Sequence, residues 1–278
     1  MSVRVENLKP KLGSMLHVDK SALLDDETIA CCQELLETRG VLVFPRLNLS
    51  NAEQVAFTDR LGTRVVFTSR VPGGADPDIY EITLDPKHNP QPEYVQGTFF
   101  WHMDGLNSNI PPPKATVLSA RRCAPKGGQT EFASTYLAYE NLSEQEKTDI
   151  EGLRAVHSVL ASMRRVVDDP TERDLERWAQ PPIKEHPLVW KRRSGRKSLI
   201  IGSSADHVVG MPTPDGRALL ARLVEYAAQS DFYYEHRWEE GDLVVWDNTG
   251  ALHRVRPYDR TSGRLMNRTS IAGYEEVA

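Results

Sequence analysis

His102 and Asp104 place an imidazole and a carboxylate two residues apart around Met103, and a further histidine, His253, lies far downstream. Two imidazoles and one carboxylate can take one triangular face of an octahedral metal ion. The opposite positions then stay open for substrates and O2, which is the ligand set of non-haem Fe(II) centres. On a strand, residues i and i+2 share a face, so His102 and Asp104 could reach one ion while Met103 turns away. His-x-Asp alone is a weak signal in a chain with 8 His and 39 Asp and Glu. The same donors suit a catalytic zinc site of a hydrolase, although no general base evidently pairs with the triad. A non-catalytic β-barrel binding protein that keeps only the shape is a third reading.

The elements that must position these groups are β-rich. Thr98 to Asp104 reads as a strand, and Asp242 to Asn248 reads as a buried strand ending in a polar turn. His253 sits at the start of the next strand, Leu252 to Arg256, so antiparallel pairing could set it opposite the 98–104 segment. In the last strand, Arg264 and Arg268 are four apart, on one face, about 13 Å from each other. If that face is inward, two guanidinium groups enter the interior and need planar anions as partners. If the strand is an edge, both are exposed and Glu275 and Glu276 can pair with them. The residues alone leave both readings open.

Around this core the first 65 residues alternate helix and strand. Residues 26–38 have helical apolar spacing with Ile29, Leu35 and Leu36 inward, Gly40 ends the helix, and Val41 to Phe44 follows as a buried strand. Ser50 and Glu53 resemble a capping box for a helix over about 51–61. Residues 70–97, rich in Pro, Gly, Asp and Asn, read as a long loop or lid. Further strands are expected at 115–121, 129–133, 187–191, 198–202, 232–238 and 264–273, with helices over 134–153 and 215–229. The charged stretch 163–185, with Arg173 and Trp178, is a second candidate lid or a solvated helix face. No repeat or linker divides the chain, so a single domain over 1–278 is expected.

Composition excludes several classes. A net charge of −5 argues against a partner held through nucleic-acid phosphates. The basic run Lys191 to Lys197 lies between two apolar runs with Ser-Gly at its centre, and reads as a solvated hairpin turn. Three cysteines, Cys31 and Cys32 adjacent and Cys123 apart, argue against a disulfide framework and for a reducing compartment. No segment has the apolar length of a signal peptide or a membrane span, so a cytoplasmic protein without a membrane partner is expected. His157 and His207 read as hydrogen-bonded structural histidines.

The ordered set Trp101-His102-Met103-Asp104, Gly127-Gly128-Gln129-Thr130, Trp246-Asp247-Asn248, His253, Arg264 and Arg268 resembles the taurine/aryloxyalkanoate dioxygenase (TauD/TfdA) family. The resemblance runs from about Leu42 to Gly273. Within it, Ser194 to Gly210 and His236-Arg237-Trp238 to Asn248 are closest to the aryloxyalkanoate branch.

This resemblance implies an α+β protein with a double-stranded β-helix (jelly-roll, cupin-like) core flanked by helices. It implies Fe(II), 2-oxoglutarate and O2, with 2-oxoglutarate decarboxylated to succinate and CO2 as a substrate C–H bond is hydroxylated. His102, Asp104 and His253 would be the iron ligands and catalytic centre. Arg264 and Thr130 would hold 2-oxoglutarate, and Arg268, Thr98 and Phe100 would contact the primary substrate. Asp104 favours hydroxylation, because related halogenases lack this carboxylate. Taurine-specific members carry histidines where this chain has Leu61 to Phe67, which contains none. The expected substrate is therefore a small hydrophobic or aromatic anion, an aryloxyalkanoate-like acid, with an alkyl sulfonate or sulfate ester as the alternative. Homodimers or homotetramers are implied by analogy alone.

Overall fold

Local capping chemistry sets the first elements of the computed structural model, which describes residues 3–66, 78–108 and 110–277. After β1 (Arg4–Asn7) and β2 (Ser14–His17), α1 (Asp26–Arg39) ends at Gly40, whose φ of 74° suits glycine. Ile29 and Leu36 of α1 are buried, whereas Leu35 is half-buried. β3 (Val41–Phe44) follows, buried at every position. The expected capping box opens α2 (Asn51–Leu61): Ser50 accepts from the Glu53 backbone and the Glu53 carboxylate accepts from the Ser50 backbone.

The stretch expected as a loop over 70–97 contains two elements, β4 (Tyr80–Ile82) and α3 (Pro92–Gly97). Its part at 70–77 lies outside the described residues. The expected strand from Thr98 to Asp104 is not formed. Thr98 caps α3, with its hydroxyl donating to the Val95 carbonyl at 2.6 Å, and the chain reaches His102 through turns. Thr98 therefore shares no strand face with His102 and Asp104.

Next come β5 (Ala115–Arg122), β6 (Thr130–Ser134), α4 (Thr135–Asn141), α5 (Glu144–Ile150) and β7 (Arg154–His157). They are followed by α6 (Val159–Met163), α7 (Glu172–Ala179), β8 (Lys184–Pro187), β9 (Val189–Lys191), β10 (Lys197–Leu199) and β11 (Ala205–Val208). The chain ends with α8 (Thr213–Ala227), β12 (Tyr233–His236), β13 (Leu243–Asp247), β14 (Ala251–Val255) and β15 (Leu265–Ile271). Within the charged stretch, Trp178 of α7 is buried and Arg177 binds Glu93 of α3 at 2.8 Å.

The largest sheet runs β1-β2-β3-β13-β5-β15-β4, and every pairing except β2 with β3 is antiparallel. A three-stranded antiparallel sheet, β12-β6-β14, packs against it. Leu118, Val244 and Met266 of the large sheet share one core with Phe132, Ala133 and Leu252 of the small one. The other face of the large sheet, through Val117, Val245 and Ile271, packs on Leu36 and Phe57 of α1 and α2. The protein thus combines helices with mainly antiparallel sheets.

Alternation along β15 settles where its arginines point. Asn267 and Thr269 turn to α2, where Gln54 Nε2 donates to the Asn267 carbonyl at 3.0 Å and the Thr58 and Thr269 hydroxyls lie 2.7 Å apart. The even positions therefore face the core between the sheets. Glu275 and Glu276, considered as partners for these arginines, lie elsewhere.

Glu275 binds Arg192 at 2.9 Å, and that arginine, expected in a solvated turn, is only 3% exposed. The β9–β10 hairpin is present, closed by Gly195 at φ 85°, but Arg192 folds inward to donate to the Tyr136 hydroxyl at 2.6 Å. Among the described residues no helix is long and apolar enough to cross a membrane. Glu275→Ala strands a buried guanidinium and should cost about 3–5 kcal/mol of stability. Urea unfolding would check this, and an unchanged midpoint would show that the pair contributes nothing.

Candidate metal centre

The site begins with two backbone hydrogen bonds. His102 N donates to the His253 carbonyl and His253 N to the His102 carbonyl, each at 3.0 Å, in a single antiparallel bridge. Directly opposed residues project to the same face, so the two rings stand 4.1 Å apart between centroids. Asp104 completes the group: Oδ1 lies 4.0 Å from His102 Nε2 and 3.8 Å from His253 Nε2. Among the described residues this is the one cluster of three such side chains able to hold an ion.

The electrostatics suit a cation. Burial pushes the His253 imidazole down to about 3, helped by the neighbouring His102, and burial likewise lowers His102. Both rings are therefore neutral near pH 7, with lone pairs available. The His102 Nδ1 proton goes to the Phe100 carbonyl at 2.9 Å, which leaves Nε2 bare toward Asp104. Burial pushes the Asp104 carboxyl up, but the Arg268 guanidinium, the two imidazoles and the Thr116 hydroxyl together hold it below the usual carboxylate range.

Separations of 3.8 and 4.0 Å are too long for hydrogen bonds. Two metal–ligand bonds of about 2.1 Å span at most ~4.2 Å, so a divalent ion fits between these atoms.

Arg264 and Arg268 enter the same interior but differ in company. Arg268 reaches Asp104 Oδ2 at 3.0 Å. Arg264 is 3% exposed, lies over the Tyr258 ring at 4.8 Å and donates to the Gly128 carbonyl at 3.3 Å. No carboxylate among the described residues acts on it, and burial presses it below its ordinary value. A Cβ at Gly128 would lie 3.1 Å from Arg264 Nε, and one at Gly127 would meet the Pro257 carbonyl at 2.1 Å, which explains the Gly-Gly pair. Thr130 lies opposite Val255, two residues along the ladder from His253 and Phe132, which places it on the same face about 7 Å away.

Two cavities lie nearby, neither lined by the three clustered side chains themselves. One of about 180 Å3 is lined by Val65, Gly105, Ile110, Pro111, Pro113 and Arg268 among others. Another of about 570 Å3 reaches Phe100 and Trp101, just before His102, and extends to α8. Of the groups named from sequence, His102, Asp104, His253 and Arg268 come together. Arg264 and Thr130 lie further along the same interior, and the Thr98 hydroxyl is engaged at α3. Met103 is buried in the core, as expected, and Phe99 packs edge-on against Tyr258.

Nothing in the sequence reading pointed to Thr116 or Tyr258, and Asn248 and Trp238 carried no assigned role. Trp238 Nε1 donates to the Thr130 hydroxyl at 2.9 Å, and Asn248 Nδ2 donates to Thr116 Oγ1 at 2.9 Å. The inward parity of Thr116 on β5 was the available signal.

The model of the family described as "Taurine catabolism dioxygenase TauD, TfdA family" matches residues 4–270. This chain belongs to the TauD/TfdA family. It is 36% identical to the alpha-ketoglutarate-dependent 2,4-dichlorophenoxyacetate dioxygenase of Cupriavidus pinatubonensis, over 97% of this chain and 98% of that one. It is 31% identical to the (S)-phenoxypropionate/alpha-ketoglutarate-dioxygenase of Sphingobium herbicidovorans, over 96% and 93% of the two chains. The crystal structure of AAD-2 in complex with Mn(II) and N-oxalylglycine matches with a TM-score of 0.82 at 29% identity, covering 100% of both chains.

His157 resembles His253 in being buried and pushed down to about 3, chiefly by burial and also by His186. Folded values below the unfolded ~6.5 mean that the unfolded chain takes up protons first as pH falls. Stability of the metal-free protein should therefore drop by about 1.4 kcal/mol per pH unit for each histidine between roughly pH 6.5 and 3. Unfolding titrations at pH 7.5 and 5.5 check this, with His157→Gln giving a shallower slope. Equal slopes for the two proteins would refute the contribution of His157.

Proposed function

We propose that this member of the TauD/TfdA family is an Fe(II)- and 2-oxoglutarate-dependent dioxygenase that hydroxylates a C–H bond of a small hydrophobic or aromatic acid. The observation that carries this is Arg264, a buried guanidinium without a carboxylate partner among the described residues, sharing one interior with the His102/Asp104/His253 cluster. A cation so buried needs a planar anion. The far carboxylate of 2-oxoglutarate answers that need, and N-oxalylglycine, present in the AAD-2 structure, has the same two-ended acidic form.

In this reading His102, Asp104 and His253 hold the ion. Iron bound there supplies the redox chemistry that couples decarboxylation of 2-oxoglutarate, to succinate and CO2, to oxidation of the substrate by O2. Arg264 grips the far carboxylate of 2-oxoglutarate and Thr130, itself held by Trp238, helps it. Arg268 anchors the anion of the primary substrate; Thr98, its hydroxyl engaged at α3, and Phe100, which lines the other cavity, are not assigned contacts to it.

The apolar walls beside Arg268, from Val65, Ile110 and Pro113, favour a hydrophobic body on that anion. Relatives named for 2,4-dichlorophenoxyacetate and (S)-phenoxypropionate support an aryloxyalkanoate-like acid. The protein's own residues orient the target carbon and limit water; they need not activate it. The reading extends to a double-stranded β-helix core, a single catalytic domain over 1–278, a cytoplasmic location and a homodimer or homotetramer.

The test is anaerobic reconstitution with Fe(II) and 2-oxoglutarate, followed by a screen of aryloxy acids, sulfonates and sulfate esters for O2-dependent succinate formation. Arg264→Ala should raise KM for 2-oxoglutarate by about 10–100-fold, the loss expected for a charge-assisted contact. Arg268→Ala should instead raise KM chiefly for the primary substrate. Equal effects of each change on both substrates would sink the assignment of the two arginines.

A further inference from the structure

The two oxygens of Asp104 have separate occupations. Oδ1 faces both imidazoles, at 4.0 and 3.8 Å. Oδ2 accepts from the Thr116 hydroxyl at 2.9 Å and from Arg268 at 3.0 Å. Thr116 lies fully buried on β5, opposite Trp246 of β13, with its side chain on the face that holds Leu118 and Val244.

Proton counting fixes the direction of this chain. An ionised carboxylate only accepts, so the single hydroxyl proton of Thr116 goes to Asp104. The Thr116 oxygen must then accept from elsewhere, and Asn248 Nδ2 donates to it at 2.9 Å. Asn248 is 1% exposed and is itself held where β13 ends, its backbone N–H donating to the Lys114 carbonyl at 2.9 Å. The Thr116 hydroxyl is thus aimed at Oδ2 by a neighbour with no other role in the site.

We infer that Thr116, aimed by Asn248, is a positioning residue that keeps Asp104 Oδ2 away from the metal and leaves Oδ1 as its one ligand oxygen. This rests on the reading of Asp104 as a ligand given above. Its consequence is a matter of counting. On a six-coordinate ion held there, two imidazoles and one oxygen would leave three positions for reactants, whereas a carboxylate bound through both oxygens would leave two. A keto acid held through two oxygens, together with O2, would need three. Arg268 cannot secure this alone, because its side chain is 21% exposed and it faces the cavity assigned to an anionic substrate. Thr116 has no competing partner of that kind.

The test compares wild type, Thr116→Val and Thr116→Ser in the metal-free full chain, titrated with Mn(II) and with Co(II) under argon. Thr116→Val should weaken metal binding by about 10–100-fold, the usual cost of a lost outer hydrogen bond, while Thr116→Ser stays within about 3-fold of wild type. The visible absorption of the Co(II) protein should change in the Val variant and match wild type in the Ser variant, because its bands report ligand number. If Thr116→Val does not fold, Asn248→Ala removes the aim instead and should weaken Co(II) binding with the same spectral change.

Wild-type affinity and spectrum in the variant lacking the hydroxyl, or in Asn248→Ala when that substitutes for it, would overturn the inference. Equal damage from Val and Ser would also overturn it, since the hydroxyl would then not be the cause. Should wild type itself bind neither ion, the ligand assignment falls first and this positioning role with it.

Discussion

The site depends on one antiparallel bridge between His102 and His253, made of two backbone hydrogen bonds. His102 belongs to no strand, so the usual ladder does not hold it. The segment is instead clamped from two sides: His253 bonds it on one, and Ser203 N donates to the Trp101 carbonyl at 2.7 Å on the other. Gly202 permits that second contact. At φ 125°, a Cβ there would lie 3.0 Å from the Trp101 oxygen and 3.1 Å from His102 Cα. A short irregular stretch is thereby placed as firmly as a strand, and it keeps the freedom to turn Asp104 back toward both rings.

From that clamp the electrostatics follow. Neutral buried imidazoles and an ionised Asp104 form a site that prefers a cation, and the two arginines make the surrounding interior prefer anions. The arginines divide by what they face. Arg268 already has Asp104 within reach, so an incoming anion at Arg268 shares that guanidinium with the Asp104 carboxylate. Arg264 has an aromatic ring and a carbonyl and, among the described residues, no carboxylate, an arrangement costly to keep without a bound partner. A protein with net charge −5 thus turns two arginines, one of them only 3% exposed, into a single interior.

Much of this was legible in the residues because local rules agree with the global fold at those places. Gly40, the Ser50/Glu53 box, the β9–β10 turn and the shared face of Arg264 and Arg268 each rest on geometry within a few residues, whereas the inward direction of that face needed the packing of β15 on α2. The strand drawn through Thr98 to Asp104 failed for a tertiary reason. Period-two spacing was read as a strand, but α3 occupies the preceding turn and one bridge suffices to orient His102. Arg192 misled in the same way. A basic run looks solvated, and only the return of the chain to Glu275 makes burial of its guanidinium tolerable. Thr116 could not be found from type alone, since a threonine in a buried strand is ordinary until its neighbours are known.

The turn that follows β13 joins these distant features. Asp247 receives the Lys114 ammonium at 3.1 Å and the Thr249 backbone N–H at 3.0 Å, and Thr249 meets Tyr136 and Arg192. Gly250 must lack a side chain there, because a Cβ would fall 1.9 Å from the Tyr136 ring. One residue away, Asn248 turns inward to Thr116 and so to Asp104. These buried hydrogen bonds and the Lys114 ion pair act on one turn together and hold its backbone in one arrangement. The Trp246-Asp247-Asn248 run therefore does two jobs through adjacent side chains. Asp247 secures the turn to Lys114 and Thr249, and that fixed turn lets Asn248 aim the Thr116 hydroxyl at Asp104.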